Sequence, residues 1–438
     1  MTDGPAYGFE TRQIHAGEVV DTEAQARVTP IYQTAGYVFD SFDDGETRFA
    51  GRGGRAYSRN DNPTNAIGAR RLADLEGGVD GVLVSSGQAA IAAALFGLAS
   101  AGDRILTTSS LYEGTREMFR GVLARQGLAF DAVPADAPDD EWLARVTPQT
   151  KALYTETIPN PLNDVVDLER LARIADRAGI PLVVDNTVAT PYLCRPIEWG
   201  AHIVIHSTSK WLAGHGSVIG GAIIDSGRFD WAAHADRFPQ LTGPTPARPI
   251  PFAERFGAAA YANWLRSVIV LEYGPTVPPI STFLLLHGIE TLSLRMERHV
   301  ANATRVAEAL EGHPALSRVL YAGLPHDPGH ALAQKYLPRG AGSVVSIELA
   351  GGRDAAREFL DRLQLASRMT HIGDVRTLAL HTGSTIHGKL TEEERLAIGI
   401  TPGLIRLSIG LETADDIIAD LLQALDPLHP EAVGTAGS

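Results

Sequence analysis

A single cysteine, Cys194, stands in a chain of 438 residues. That excludes an internal disulfide and fits a reducing compartment, so a cytoplasmic location is expected. No run of about 18 apolar residues occurs, which excludes a transmembrane helix. The start, Met1 to Glu10, lacks a charged segment followed by an apolar one, and no signal peptide is expected. Basic residues are fewer than acidic ones, 38 against 52, for a net charge of −14. They gather into no stripe, so neither nucleic acid nor an anionic membrane is expected as a partner. Lysine is scarcest of all: only Lys151, Lys210, Lys335 and Lys389 are present. Chemistry that needs a primary amine therefore has four candidates. Metal binding is not expected either. His202/His206 cross a strand end, His326/His330 lie in a Pro/Gly stretch, and neither pair has a third ligand.

What is present is an alternation of strands and helices. The length predicts two or three folding units: an arm over 1–65, a large α/β domain over 66–285 and a smaller α+β domain over 286–438. The arm shows no strong period and closes on Gly51 to Arg55, a turn-forming run. Strands are predicted at Gly81 to Val84, Arg104 to Thr107, Lys151 to Tyr154, Pro181 to Val184, His202 to Ile205 and Gly221 to Ile224. Helices fall between them at Gln88 to Leu98, Glu113 to Arg125 and Val165 to Ala178, the last stopped by Gly179. Near-continuous apolar strands alternating with helices read as a mostly parallel sheet covered on both faces. The Pro- and aromatic-rich stretch between Gly227 and Arg266 reads as an ordered insertion or long loop, followed by one long helix through Gly288 to Leu310. Strands at Val344 to Glu348, Leu378 to Leu380 and Leu404 to Ser408, with a helix over Ala355 to Leu365, make the smaller domain. The tail Glu431 to Ser438 is expected to fray.

Four features fall where such a sheet puts a ligand, beyond the carboxyl ends of its strands. Ser85-Ser86-Gly87-Gln88-Ala-Ala90 joins a strand to an Ala-rich helix, and small residues there let backbone N–H groups meet a phosphate. Asp185 ends an apolar strand, where a carboxylate can keep a pyridine nitrogen protonated. His206-Ser207-Thr-Ser209-Lys210 ends the next strand and sets two serine hydroxyls beside an amine. A Schiff-base lysine must be partly neutral near pH 7, and a position behind an apolar strand supplies the burial this needs. Lys151 is on the opposite edge of the sheet, and Lys335 and Lys389 lie outside this domain. Arg406, inside the short apolar strand Leu404 to Ser408, can clamp a carboxylate. Singly each feature has an ordinary structural explanation. Together they meet the needs of pyridoxal 5′-phosphate (PLP), held as a Schiff base on Lys210.

These residues resemble the cysteine/methionine-metabolism family of fold-type I PLP-dependent transferases. The likeness runs from Gly8 to Glu412 through Pro30 to Thr34, Tyr57 to Arg59, Asn62 to Asn65, Ser85 to Ala90, Val184 to Thr187, His206 to Trp211 and Leu404 to Glu412. Phe238 to Trp264 and Leu292 to His299 resemble the sulfhydrylases of that family. The resemblance implies that Gly87, Gln88, Ser207 and Ser209 hold the phosphate, that Tyr112 stacks on the pyridine ring, and that Asn160 lies near the cofactor's phenolic oxygen and the substrate carboxylate. It implies that Tyr57 and Arg59 reach the phosphate of a neighbouring subunit, which requires at least a dimer with shared active sites; a homotetramer is expected. It implies a γ-replacement in methionine biosynthesis that converts O-acetylhomoserine and sulfide to homocysteine and acetate, with Lys210 moving the protons.

The chain departs from the family pattern at Val188, where relatives carry Phe, at Ser209 for Thr, and at His371 for Ser or Asn. The last position lies near the substrate carboxylate in the family. Alternative activities are cystathionine formation, use of the succinyl ester, or methionine γ-lysis. Against the last, Leu111-Tyr-Glu-Gly-Thr115 lacks the thiol that γ-lyases carry there. A dinucleotide-binding dehydrogenase is disfavoured: Gly214 to Gly220 is one residue too long for the phosphate loop and precedes a strand. A non-catalytic regulator of the same fold would carry a separate partner-binding module, and none is visible.

Overall fold

The apolar runs become the interior strands of one sheet. In the computed structural model, which describes residues 7–21, 23–246 and 248–428, the first sheet contains β1 (Asp80–Val84), β2 (Arg104–Thr108), β3 (Ala129–Val133), β4 (Thr150–Glu156), β5 (Leu182–Asp185), β6 (Ile203–Ser207) and β7 (Gly221–Asp225). Their order is β1-β7-β6-β5-β4-β2-β3. From β3 to β6 all neighbours run parallel, while β7 is antiparallel to both β6 and β1. Register sets Glu156 opposite Asp185 and Asp185 opposite Ile205, so the carboxyl ends of β4, β5 and β6 lie side by side.

The Ala-rich helix Gly87–Leu98 packs on β6 and β7. Ala90, Ala93 and Ala94 are buried, and their small side chains allow a close approach to the sheet. Leu95 is fully buried beside them, and burial of that one side chain contributes roughly 1.5–3 kcal/mol. Ser86 caps the helix: its hydroxyl accepts from Ala89 N at 3.0 Å. On the other side of the chain's alternation, Leu168–Ala178 buries Leu168, Leu171 and Ile174. It begins three residues later than its apolar spacing predicts, because Asp167 accepts from Arg170 N and caps it.

A second sheet holds β8 (Leu316–Leu320), β9 (Val344–Leu349), β10 (Ser367–Arg368), β11 (Leu378–His381) and β12 (Leu404–Ser408), in the order β10-β11-β12-β9-β8. Strand β12 is central and fully buried, Arg406 included.

Several local expectations are corrected. The arm contains two short helices, Phe9–His15 and Phe42–Phe49. The stretch after Gly227 is built largely from short helices, among them Pro239–Thr242, Phe252–Phe256 and Ala260–Trp264. The single long helix is two, Pro279–Glu290 and Leu292–Leu310, because Thr291 leaves helical geometry at φ −114°, ψ 14°. The unforeseen strands β3, β8 and β10 are all sheet edges, whose exposed residues mask an apolar run. Residues 1–6 and the tail Glu431 to Ser438 lie outside the described residues. Among the described residues no helix is long and apolar enough to cross a membrane, and no group of three or more His, Cys, Asp or Glu side chains could hold a metal.

Candidate active site

At the carboxyl ends of β4, β5 and β6 lies a cavity of about 410 Å³. Its far wall comes from the second sheet, through Met369 to Ile372 and Arg406. Ser86, Gly87, Gln88, Tyr112, Asn160, Asp185, Ser207, Ser209, Lys210 and Arg406 all line it. Of the residues expected at the site, only Tyr57 and Arg59 do not.

One end of the cavity is a cradle of backbone. Gly87 and Gln88 open the helix Gly87–Leu98, whose first-turn N–H groups have no intrahelical acceptor. A Cβ at Gly87 would stand 2.6 Å from the Cβ of Ser207, so glycine is required for the two loops to meet. The Gln88 side chain is turned away, donating to Gly114 O at 2.8 Å. Ser209 is also committed: its hydroxyl accepts from Gly220 N at 3.0 Å. The Ser207 hydroxyl lines the cavity beside Gly87, 2.9 Å from where a Cβ on that glycine would stand.

The floor carries two carboxylates. Asp185 Oδ1 accepts from the N–H of Thr187 at 3.0 Å and from its hydroxyl at 2.5 Å. That leaves Oδ2 for the cavity. Glu156, its neighbour across the β4–β5 pairing, accepts from Tyr112 N at 2.8 Å. Burial raises the pKa of both groups, and for Glu156 the charge of Asp185 raises it further. The Tyr112 ring lines the cavity above them, and a Cβ at Gly114 would be 2.4 Å from that ring.

Lys210 follows β6 and is brought down to about 8, first by burial and then by the Arg406 cation. Its Nζ lies 3.1 Å from His371 Nδ1. Arg406 donates from Nη2 to the carbonyls of Thr370 and His371, both at 3.1 Å, while Nη1 reaches Asn160 Oδ1 at 3.5 Å. Its Nε is buried and unpartnered, and no ion pair to it occurs among the described residues. Burial lowers it to about 10. A buried guanidinium without a carboxylate partner has the charge and the free donor to accept one from a ligand.

The family model of the Cys/Met metabolism PLP-dependent enzymes matches residues 10–426. The chain belongs to that family. A homocysteine synthase of Schizosaccharomyces pombe is 46% identical over 421 residues, 95% of this chain and 98% of the other. An O-acetyl-L-homoserine sulfhydrylase of Corynebacterium glutamicum is 43% identical over 422 residues, covering 95% and 96%. A crystal structure from Campylobacter jejuni, described as an O-acetylhomoserine (thiol)-lyase with pyridoxyl-lysine phosphate, superposes with a TM-score of 0.92 at 35% identity, covering 96% of this chain and all of that one.

The cavity fits the cofactor of the Cys/Met metabolism family. The N–H groups of Gly87 and Gln88 and the Ser207 hydroxyl suit a phosphate, the Oδ2 of Asp185 suits a pyridinium, and a partly neutral amine suits an aldehyde. In this single chain Tyr57 and Arg59 lie apart from the cavity. Tyr57 is 45% exposed, and Arg59 stacks near its ring and donates to Leu271 O at 3.1 Å. Glu156 is an unexpected member of the site, although it ends β4 as Asp185 ends β5, so the same strand-end signal applies to it. Thr187 is likewise an unexpected partner of Asp185; a hydroxyl two residues after a strand-end Asp is the signal for such a turn.

Proposed function

We propose that this chain is the enzyme that converts O-acetyl-L-homoserine and sulfide to L-homocysteine and acetate, a step of methionine biosynthesis, with PLP carried on Lys210. The observation that carries the reading is the buried amine of Lys210, set between Asp185 on one sheet and the ion-pair-free Arg406 on the other. Two relatives of nearly full coverage bear names for this activity.

PLP, when bound, supplies the electron sink that lets carbon–hydrogen bonds beside an amino group break. Gly87, Gln88 and Ser207 would hold its phosphate, with Ser86 placing them as the helix cap and Ser209 bracing the lysine loop through Gly220. Asp185 would hold the pyridine nitrogen protonated, and Tyr112 would cover the ring. Arg406, with Asn160 beside it, would bind the substrate carboxylate. Lys210 Nζ, neutral for part of the time at pH 7, would take the proton from Cα and then move a second proton at Cβ, so that acetate leaves from Cγ and sulfide takes its place.

Gly114 supports replacement over γ-lysis. A cysteine there cannot be accommodated while Tyr112 keeps its position. The reading divides the chain into an arm (1–65), a cofactor-binding part (66–285) and a C-terminal part (286–438). Tyr57 and Arg59 would complete a neighbour's site in a homotetramer of paired dimers. The test is product identification by the yellow purified protein from O-acetylhomoserine with sulfide, cysteine or methanethiol in parallel, and from the succinyl ester. Homocysteine from the acetyl ester and sulfide is expected. Release of 2-oxobutanoate or exclusive formation of cystathionine would overturn the reading.

A further inference from the structure

Three residues of the cavity each have a chain neighbour in a second polar cluster, on the far side of the sheet. Thr157 follows Glu156, Asn186 follows Asp185, and His206 precedes Ser207. The Thr157 hydroxyl donates to Asn186 Oδ1 at 2.8 Å. Asn186 Nδ2 donates to the carbonyl of Cys194 and to Glu76 Oε1, both at 2.8 Å. His206 Nε2 lies 2.6 Å from the same Oε1. All four side chains are buried, and Glu76 is the last residue of the helix Pro63–Glu76. Leu72 and Leu75 of that helix share a core with Val184 and Val204. Ala90 and Ala94 of the helix Gly87–Leu98 pack with Val183 and Ile205, which point to the opposite face.

Glu76 and His206 are both fully buried, and a carboxylate in such a place needs a cation or a proton. Among the described residues, His206 is the ion-pair partner that Glu76 has. Two donors on Oε1 suit the carboxylate form, which puts the shared proton on the imidazole. Glu76 Oε2 and His206 Nδ1 have no partner, and a buried pair that leaves two polar atoms unmet adds little stability. Its field falls instead on Asp185, which pairs with Ile205, the residue before His206. Burial raises the Asp185 carboxyl, and the Thr187 bonds and then the His206 charge oppose it. Glu156 and Tyr154 on β4 also face Asp185, and neither is a cation; Lys210 and Arg406 stand in the cavity in front. The Cys194 thiol near Glu76 is raised by burial first and then by the Glu76 charge, so it stays neutral.

We propose that Glu76 and His206 are positioning residues for the cofactor: they keep a positive charge behind Asp185 and, through Asn186 and Thr157, fix the spacing of the three strand ends that floor the cavity. A cation on the side of Asp185 away from the cavity is closer to the carboxylate than to a ring held in front of it. By Coulomb's law, a proton shared between that carboxylate and a ring nitrogen is then driven onto the nitrogen. Asn186 and Thr157 carry no charge and act only as the tether. The inference rests on the reading of Asp185 as the partner of the PLP ring nitrogen.

Charge and tether are separated by substitution, using PLP with an NMR-active nitrogen isotope in its ring, whose chemical shift reports whether that nitrogen carries a proton. In the wild-type holoenzyme a protonated nitrogen is expected. Glu76→Gln keeps an acceptor for Asn186 but removes the anion, so the signal is expected to move toward the unprotonated position. The PLP dissociation constant rises with it by roughly tenfold, the scale of one pKa unit. His206→Gln removes the cation and shifts the signal the same way, and it decides the matter where Glu76→Gln does not fold. Thr157→Val cuts the tether alone: the dissociation constant rises by up to roughly tenfold while the signal stays as in wild type. In an Asp185→Asn background, Glu76→Gln shifts the signal no further, because both act on one proton. An unchanged signal in the Glu76→Gln or His206→Gln holoenzyme overturns the proposal and leaves the function standing. So does a shift in Thr157→Val as large as in those two, since the cluster would then be scaffold only. An Asp185→Asn holoenzyme that keeps its ring nitrogen protonated overturns the reading of Asp185 itself.

Discussion

Asp185 and Glu156 face one another across the β4–β5 pairing, two carboxylates at the carboxyl ends of adjacent strands in the floor of one cavity. Their partners differ. Glu156 is occupied by the Tyr112 backbone, whereas Asp185 turns both Thr187 bonds onto one oxygen and leaves the other open. Only Asp185 is free to hold a cationic ring nitrogen. Asp185→Asn is expected to lose on the order of 10²-fold or more in kcat. Glu156→Gln, which keeps an acceptor for Tyr112 N, should stay within roughly tenfold, the scale of one neutral hydrogen bond. Single-turnover rates on the two variants check this; equal losses would reject the division of roles.

Arg406 anchors the wall of the cavity and would bind substrate at once, so its replacements should separate the two effects. Arg406→Lys keeps the charge but lacks the planar fork that reaches Thr370, His371 and Asn160. It is expected to raise KM for O-acetylhomoserine by roughly 10²-fold while PLP content is retained. A normal KM in this variant would exclude Arg406 as the carboxylate clamp.

Tyr57 and Arg59 lie away from the cavity of their own chain. If each serves a neighbour, Lys210→Ala and Arg59→Ala are both inactive alone, but subunits of the two mixed and reassembled regain part of the activity, since one site in each mixed pair is whole. Absence of any recovery, with exchange of subunits confirmed by mass, would argue that the site is complete within one chain.

Asp225, at the end of β7, is buried and accepts from Gly227 N and Ala262 N. Burial pushes its pKa up to about 7. The folded value is above the unfolded one, so the stabilisation linked to its proton is full below about pH 4 and is lost as pH rises through 7. Stability measured by denaturant between pH 4 and 8 should therefore fall more steeply in wild type than in Asp225→Asn, by up to a few kcal/mol across the range. Parallel curves would show that Asp225 is ionised throughout.

Most of the cavity was legible because its residues sit in short runs that end strands. Asp185, Ser207 and Lys210 each follow an apolar stretch, and strand ends in a parallel sheet converge whatever the loops between them do. Edge strands were hidden for the complementary reason: β3 and β8 expose side chains, so their sequences show no continuous apolar run. The pairing of Lys210 with His371 joins residues 161 positions apart, in segments that follow strands of different sheets, and no local pattern announces it. The commitment of Ser209 to Gly220 was likewise invisible, since a hydroxyl beside a lysine reads the same whether it faces a ligand or its own backbone.

The cavity is roofed and floored by different sheets, with Lys210 and Asp185 at the end of one and Arg406 within the other. Under the proposed roles the gap between them would act as a gauge. An amino acid would then be measured from its nitrogen to its carboxylate against a span set by the packing of two separate sheets, so a ligand with one more backbone carbon would meet one wall at the expense of the other.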